Sequence, residues 1–181
     1  MIELRSDLSR KEQERLKPKP EDLIPLCLED DYMKNKALDF VTYLRTTNKT
    51  KLVWCTRNGW KISYKGEILC RMGVSPKGWA KPIDPPSWSV RFVLVHINEY
   101  EKIIMKERLQ EFIWDNVAHC GFCRSECGGR RNVIILGKEI KDIGCGGNPW
   151  GIAIGAPDEA AISNIKKLLE LEKQARDENS D

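Results

Sequence analysis

The feature that most constrains the fold of this chain is a cluster of cysteines in its second half. The segment His119-Cys-Gly-Phe-Cys-Arg-Ser-Glu-Cys127-Gly-Gly holds three of them, and Gly144-Cys145-Gly-Gly follows after a predicted hairpin. Two thiolates separated by two residues can grip one tetrahedral ion, because the turn between them points both sulfurs inward. The neighbouring glycines permit the tight backbone turns that such a site needs. We therefore predict a structural Zn²⁺ site, one ion per chain, with four ligands: Cys120, Cys123, Cys127 and Cys145.

Other roles for these thiols stay open. Four thiolates also hold iron–sulfur clusters, and Cys120 with Cys123 has the spacing of a thiol–disulfide couple. Redox pairs usually stand where a helix begins, whereas this pair follows the predicted end of one. His119 is an alternative ligand, and cysteines without a common role are the plainest interpretation. Four thiolates would leave no open coordination position, so the predicted site is structural rather than catalytic.

Composition indicates a cytoplasmic protein with reduced thiols. Hydrophobic residues make up 41% of the 181 residues, enough for one domain with a core. The net charge of +3 gives no overall argument for nucleic-acid or membrane binding. The N-terminus lacks the apolar stretch of a secretory signal, and no apolar run is long enough to cross a bilayer. Because seven cysteines is also an odd count, we expect no disulfide framework and no membrane partner.

Hydrophobic periodicity predicts an α+β fold. Helical spacing covers Asp30–Thr47, with an aspartate as N-cap, and Tyr100–Ala118, and a third helix begins near Pro157. Between them, alternating residues predict a mainly antiparallel sheet of about four to six strands, flanked by these three principal helices and stapled by the four-cysteine metal site. The clearest element is a hairpin that turns at Lys65-Gly66.

The predicted organisation has three parts. Residues 1–29 form an N-terminal arm, partly exposed, in which prolines end any helix near Lys17. Residues 30–172 form a single α+β domain that includes the cysteine cluster at 119–147 and a glycine-rich loop over 144–155. Residues 173–181 form a frayed, charged tail.

Three segments carry a resemblance to a known type of domain: the hairpin Trp60-Lys-Ile-Ser-Tyr-Lys-Gly-Glu-Ile-Leu-Cys, the later strand and the Cys-rich segment. Together they are similar to small bacterial α+β domains of uncharacterised function, over residues 32–172. The resemblance implies a bacterial source and a sheet with helices on it, and it carries over no catalytic residue.

Aromatic residues of the predicted sheet form a second candidate site. Trp60, Tyr64 and Trp88 would line a cleft for a planar or cationic ligand, and His96 falls on the same predicted strand face as Trp88. The alternative is that the aromatic rings fill the core and that His96 is a satisfied core histidine. Three further cysteines stand alone among apolar residues, which indicates buried thiols: Cys27, Cys55 and Cys70.

These observations favour a non-enzymatic binding module with a structural zinc site that recognises a small aromatic ligand or a protein partner. The chain has two histidines, and we find no acid–base pair and no nucleophile elbow. One alternative is a thiol-dependent or redox enzyme that uses Cys120 or Cys123. Another is a nucleic-acid-binding accessory protein that uses the arginines near the cluster: Arg124, Arg130 and Arg131. Acidic residues interrupt that basic patch, so nucleic acid is the less favoured partner.

Overall fold

The computed structural model describes residues 3–47, 49–76, 85–118, 131–143 and 151–179. Within these residues the chain is α+β, as predicted, with six helices and seven strands. Contacts divide it into two compact units, Met1–Val90 with Gly155–Ile162, and Arg91–Ile154 with Ser163–Asp181. The single domain predicted over residues 30–172 stays a prediction.

The described strands form two sheets. The strands are β1 (Thr50–Thr56), β2 (Gly59–Tyr64), β3 (Glu67–Ser75), β4 (Ser87–Phe92), β5 (Arg131–Ile135), β6 (Lys138–Ile143) and β7 (Ile152–Gly155). An antiparallel sheet of five strands has the order β1-β2-β3-β4-β7, and β5 pairs with β6 in a separate two-stranded sheet. The five strands lie within the predicted four to six. Strand β7 belongs to the segment that the sequence analysis assigns to a glycine-rich loop, although Ile152 and Ile154 alternate as a strand requires.

The helices number six in the described residues rather than the three principal ones predicted: α1 (Arg10–Leu16), α2 (Pro20–Cys27), α3 (Asp31–Thr46), α4 (Glu101–Lys106), α5 (Gln110–Asp115) and α6 (Glu159–Glu178). The proline-rich run ends α1 as expected, and Pro20 is the first residue of α2, where a missing N–H costs nothing. The N-cap of α3 is confirmed, because the Asp30 carboxylate accepts a hydrogen bond from the Met33 N–H at 2.7 Å. The helix predicted over 100–118 is divided at Arg108, whose left-handed φ of 57° interrupts helical hydrogen bonding.

Two further predictions, one for a strand and one for the C-terminal tail, differ from the structure. The strand expected to continue from Trp88 to His96 ends at Phe92, and His96 lies in a turn where its carbonyl accepts the Glu99 N–H at 2.9 Å. The frayed tail predicted over 173–181 is largely helical, since α6 continues to Glu178. Arg176 of this segment is buried, and its charge is paired with the carboxylate of Glu172 in the same helix.

Gln13 attaches α1 to the turn between β1 and β2 in the first unit. Its fully buried Oε1 accepts the Asn58 backbone N–H at 2.7 Å, and its Nε2 donates to the Asn58 side-chain oxygen. Nearby, the Trp60 indole N–H donates to the Pro18 carbonyl at 2.8 Å. Buried polar groups need partners of this kind. The segment predicted to be a partly exposed arm is therefore bound to the sheet through two buried hydrogen-bonding groups.

The core of the first unit lies between α3 and the sheet, where the ring centroids of Phe40 and Trp88 are 5.8 Å apart. Its buried side chains include Leu23, Ile24, Phe40, Val41, Leu44, Trp60, Ile62, Met72, Trp88 and Val90. The second unit has its own buried set, including Ile104, Leu109, Ile113, Val117, Ile135, Ile140, Ile165, Leu168 and Leu169. Among the described residues no helix combines the length and the apolar character that crossing a bilayer requires.

The β2–β3 turn generates a stability prediction. Tyr64 pairs with Glu67, and Lys65 and Gly66 between them have φ values of 49° and 91°, as in a type I′ turn. Asparagine tolerates the left-handed conformation better than lysine does, so Lys65→Asn should raise the free energy of unfolding by about 1 kcal/mol. Urea denaturation would measure this change. Lys65→Ala removes the lysine side chain, but alanine does not favour the left-handed φ of this position, so this variant should give no such gain.

Candidate functional site

The four cysteines predicted to bind zinc, and His119 beside them, lie outside the described residues. Cys120, Cys123 and Cys127 fall between Ala118 and Arg131, and Cys145 falls between Ile143 and Gly151. The structure describes the residues that delimit these two segments. Of the three arginines considered for nucleic-acid binding, Arg124 and Arg130 also lie outside, and the backbone of Arg131 begins β5.

The delimiting residues are paired at both ends. The Ala118 N–H donates to the Gly151 carbonyl at 2.8 Å, and next to them Val117 forms an antiparallel bridge with Ile152. At the other end Arg131 pairs with Ile143 across β5 and β6. Both cysteine-bearing segments therefore run between the same two paired positions of the second unit.

The β5–β6 hairpin, residues 131–143, connects the two segments. Its turn at Leu136-Gly137 has φ values of 49° and 77°. Helix α5 supports it through Trp114, whose indole N–H donates to the Ile135 carbonyl at 2.8 Å and whose ring centre lies 4.8 Å from the Lys138 ammonium. A two-stranded hairpin alone is marginally stable in water. Trp114 and the packing of the hairpin's buried side chains therefore supply stability that the two strands lack alone.

The hairpin has one buried face and one exposed face. Ile135, Ile140 and Ile143 are buried, as expected for the face that meets the body of the unit. Ile134 points the other way and is 74% exposed, more than any other large apolar side chain in the described residues. Beside it, the Asn132 amide donates to the Glu139 carboxylate at 2.9 Å. The exposed face thus combines a large apolar side chain with a satisfied polar pair.

The aromatic residues proposed for a ligand cleft are buried in the first unit. The exposed fractions of Trp60, Trp88 and Tyr64 are 0%, 1% and 5%. Side chains with so little accessible surface offer a ligand almost nothing to contact. These values match the alternative interpretation, in which the rings fill the core. His96 belongs to the second unit, so it is described with different neighbours.

His96 is part of a polar cluster with Glu99 and Asn179. Its ring Nδ1 lies 2.9 Å from the Glu99 carboxylate, and the Asn179 amide donates to the same carboxylate at 2.7 Å. The pKa of Glu99 lies below its usual value, because hydrogen bonds stabilise the charged carboxylate. The bond with His96 has the largest effect, and the bond with Asn179 the next largest. His96 is 23% exposed and has a partner, which resembles the satisfied histidine considered above more than a free ligand-binding group.

A buried carboxylate adjoins this cluster. Glu172 of α6 is completely buried and accepts hydrogen bonds from the Tyr100 hydroxyl at 2.7 Å, the His96 backbone N–H at 3.2 Å and the Arg176 Nε at 2.9 Å. Burial and the adjacent carboxylate both raise the pKa of Tyr100, so its hydroxyl stays protonated and donates. Three donors therefore hydrogen-bond to the Glu172 carboxylate and link α6 to the turn before α4. We call this cluster the Glu172 clamp; its role is structural, since the carboxylate already has its partners.

Glu172 is not among the residues predicted from the sequence, although its position carries a signal. The buried stripe of α6, Ile165, Leu168 and Leu169, reaches position 172 at helical spacing. A carboxylate in such a stripe with an arginine four residues later indicates a buried ion pair. Its partner Tyr100 lies 72 positions away, which no local pattern shows.

The cysteines of the first unit are poor nucleophiles. Cys27 and Cys70 are buried and Cys55 is half-buried. Burial raises the pKa of Cys27 to about 11 and that of Cys70 to about 12, and it also raises the pKa of Cys55. Thiols with such pKa values stay protonated near neutral pH. Their burial agrees with the prediction made from their apolar neighbours.

Two further features of the described residues do not form a site. A groove of about 570 Å³ is lined by Glu107, Ser163, Lys166, Lys167, Glu170 and Leu171. Its lysines and carboxylates are equal in number, and Lys167 pairs with Glu107 at 2.9 Å, so the groove favours neither an anion nor a cation. No group of three or more His, Cys, Asp or Glu side chains able to hold a metal occurs in the part of the chain described.

The Glu172 clamp generates a second stability prediction. Glu172→Ala should lower the free energy of unfolding by about 3–5 kcal/mol, because it removes the buried carboxylate with which the buried Arg176 pairs. Tyr100→Phe should cost about 1–2 kcal/mol through the lost hydrogen bond. Glu178→Ala, an exposed position of the same helix, is the control and should have little effect. Equal losses from the two alanine variants in urea denaturation would contradict the clamp.

Comparison with known proteins gives no match for this chain. No protein family, no curated protein and no solved structure matches it. The resemblance to small bacterial α+β domains therefore stays a prediction, and the function has to be inferred from the residues themselves.

Proposed function

We propose that this protein is a non-catalytic binding module that presents a zinc-stapled hairpin to a protein partner. Cys120, Cys123, Cys127 and Cys145 would hold the ion in a closed four-thiolate site. Zinc in such a site supplies folding energy and no open position for substrate. The role of the metal would be to close the open end of the β5–β6 hairpin.

The pairing around the cysteine-bearing segments supports this metal site. Cys120 follows Ala118 by two residues, and Cys145 follows Ile143 by two. A chain advances at most about 3.6 Å per residue, so two residues of chain can span no more than about 7 Å from the paired residue. A thiolate set drawn from two segments that share both borders costs little loop-closure entropy to assemble.

The exposed Ile134 is the observation that carries the partner-binding role. Ile134 is 74% exposed on a strand, and contact with another surface would remove its apolar area from water, which is favourable by about 25 cal/mol per Å². Protein interfaces commonly combine an apolar contact with a polar rim, and Asn132 and Glu139 supply polar groups beside Ile134. The alternative of a small aromatic ligand has less support, because Trp60, Tyr64 and Trp88 are buried. The thiol-enzyme alternative would need Cys120 or Cys123 to be free of metal.

The metal site is tested by Cys123→Ser, with Cys27→Ser as the matched control. Protein purified without chelator or affinity tag should contain about one zinc per chain. Cys123→Ser should lose the metal and speed amide exchange in the β5–β6 hairpin, because structural zinc contributes on the order of 10 kcal/mol to small metal-dependent regions. Cys27→Ser should keep the zinc and the protection of the hairpin. Metal-free wild-type protein with a fast-reacting Cys120/Cys123 pair would instead support thiol chemistry.

The partner-binding role is tested by Ile134→Lys. A protein that copurifies with the wild-type chain should bind the purified variant about tenfold more weakly, because the charge replaces the apolar contact. Val95→Lys is the control, since Val95 is 62% exposed in the same unit but lies outside the hairpin. Calorimetry on the purified pair would give both affinities. Equal weakening by the two substitutions would exclude the hairpin as the binding surface.

A further inference from the structure

We infer that the outer edge of β5 pairs with the same edge of a second copy of this chain; this inference rests on the partner-binding role proposed for the hairpin. It names the partner and the binding mode, namely antiparallel addition of strand to strand. The evidence comes from the hydrogen-bonding direction of the β5 backbone, from the symmetry of the strand and from its side chains.

The two-residue turn determines which β5 backbone groups face outward. Ile135 and Lys138 close the turn, and in a hairpin of this type the closing pair exchanges both of its hydrogen bonds. Pairs alternate along the ladder, so Ile134, opposite Glu139, directs its N–H and C=O away from β6.

Between Val133 and Arg131 a β-bulge shifts the register, because β6 advances three positions there for two of β5. The extra residue belongs to β6, so the alternation along β5 continues and directs the backbone of Asn132 outward as well. Within the described residues β6 is the one strand that pairs with β5.

An edge of this kind is complementary to itself. When two copies of β5 run antiparallel with Val133 opposite its own counterpart, Asn132 of each copy faces Ile134 of the other. Each of these two pairs can exchange two hydrogen bonds, so all four outward-facing groups of each strand find partners. The register uses the whole length of β5, and a twofold axis passes between the two Val133 residues.

The side chains agree with this register. The two copies of Ile134 would be diagonal neighbours on the exposed face, close enough for each to cover part of the other. The one charged residue of β5 is Arg131, and this register places it opposite Ile135 of the other copy rather than opposite a second Arg131. The β6 edge differs, because it carries Lys138, Glu139 and Lys141, and charged residues of this kind protect strand edges from pairing.

Five residues make a short interface, so the association should be weak and dependent on protein concentration. Residue-resolved amide exchange of the zinc-loaded full chain provides a direct test. The amides of Asn132 and Ile134 should exchange at least about tenfold more slowly as the concentration rises about a hundredfold, whereas the inward amides of Val133 and Ile135 should be protected throughout. Concentration-independent exchange at Asn132 and Ile134, with a monomer in sedimentation, would overturn the inference.

Two variants test the register. Residues opposite each other in a non-hydrogen-bonded pair have Cα atoms about 4.5 Å apart, so Val133→Cys should form a disulfide-linked dimer with oxidised glutathione. Lys141→Cys, on the other strand, should not, and peptide mapping would separate the new bond from those of native cysteines. Ile134→Pro removes an outward N–H together with the exposed side chain, and proline is tolerated where the N–H faces away from the partner strand. The variant should therefore keep the zinc and the hairpin but lose the dimer. Dimerisation that survives Ile134→Pro would contradict pairing at β5.

The outcomes also separate this inference from the proposed function. If the chain is a monomer and Ile134→Lys weakens its binding to a different protein, self-pairing is overturned and the binding module stays supported. If Ile134→Lys leaves dimerisation unchanged and the chain holds no zinc, both the self-pairing of β5 and the proposed binding module are overturned.

Discussion

One buried carboxylate holds the polar centre of the second unit. Glu172 receives hydrogen bonds from the Tyr100 hydroxyl, the His96 backbone and Arg176, so the turn before α4 and the last turns of α6 share one charge. Buried ion pairs contribute little net stability compared with an apolar core, but removing one partner is costly. The cluster therefore determines how these segments are arranged more than it increases total stability.

The first unit uses a neutral group for the same purpose. Gln13 joins α1 to the β1–β2 turn through the backbone and side chain of Asn58, and an amide can both donate and accept without the desolvation cost of a charge. Phe40 and Trp88 complete the unit by packing α3 on the sheet. The aromatic residues that suggest a ligand cleft in the sequence are thereby committed to the core.

The hairpin is a two-stranded sheet that depends on contacts with the rest of its unit. Trp114 holds its turn end, while its open end adjoins the paired borders of the cysteine-bearing segments. A metal at that end would rigidify the hairpin without occupying its exposed face. The exposed Ile134 and the outer edge of β5 would then be presented on a strand of fixed shape, which lowers the entropy lost on binding. The proposed staple and the proposed interface thus have separate physical roles.

The sequence alone determined the features that depend on a few neighbouring residues. The N-cap Asp30, the proline break after α1 and the hairpin at Lys65-Gly66 were predictable because caps, prolines and tight turns act within four positions. Cysteine spacing also predicted a ligand set, but Cys145 stands 18 positions after Cys127 and the set stays a prediction. Only the tertiary structure decided that Gln13 and Glu172 are buried, because their partners lie 45 and 72 positions away. It also decided that Trp60 and Trp88 face the core, since periodicity places side chains on one face without showing what covers that face.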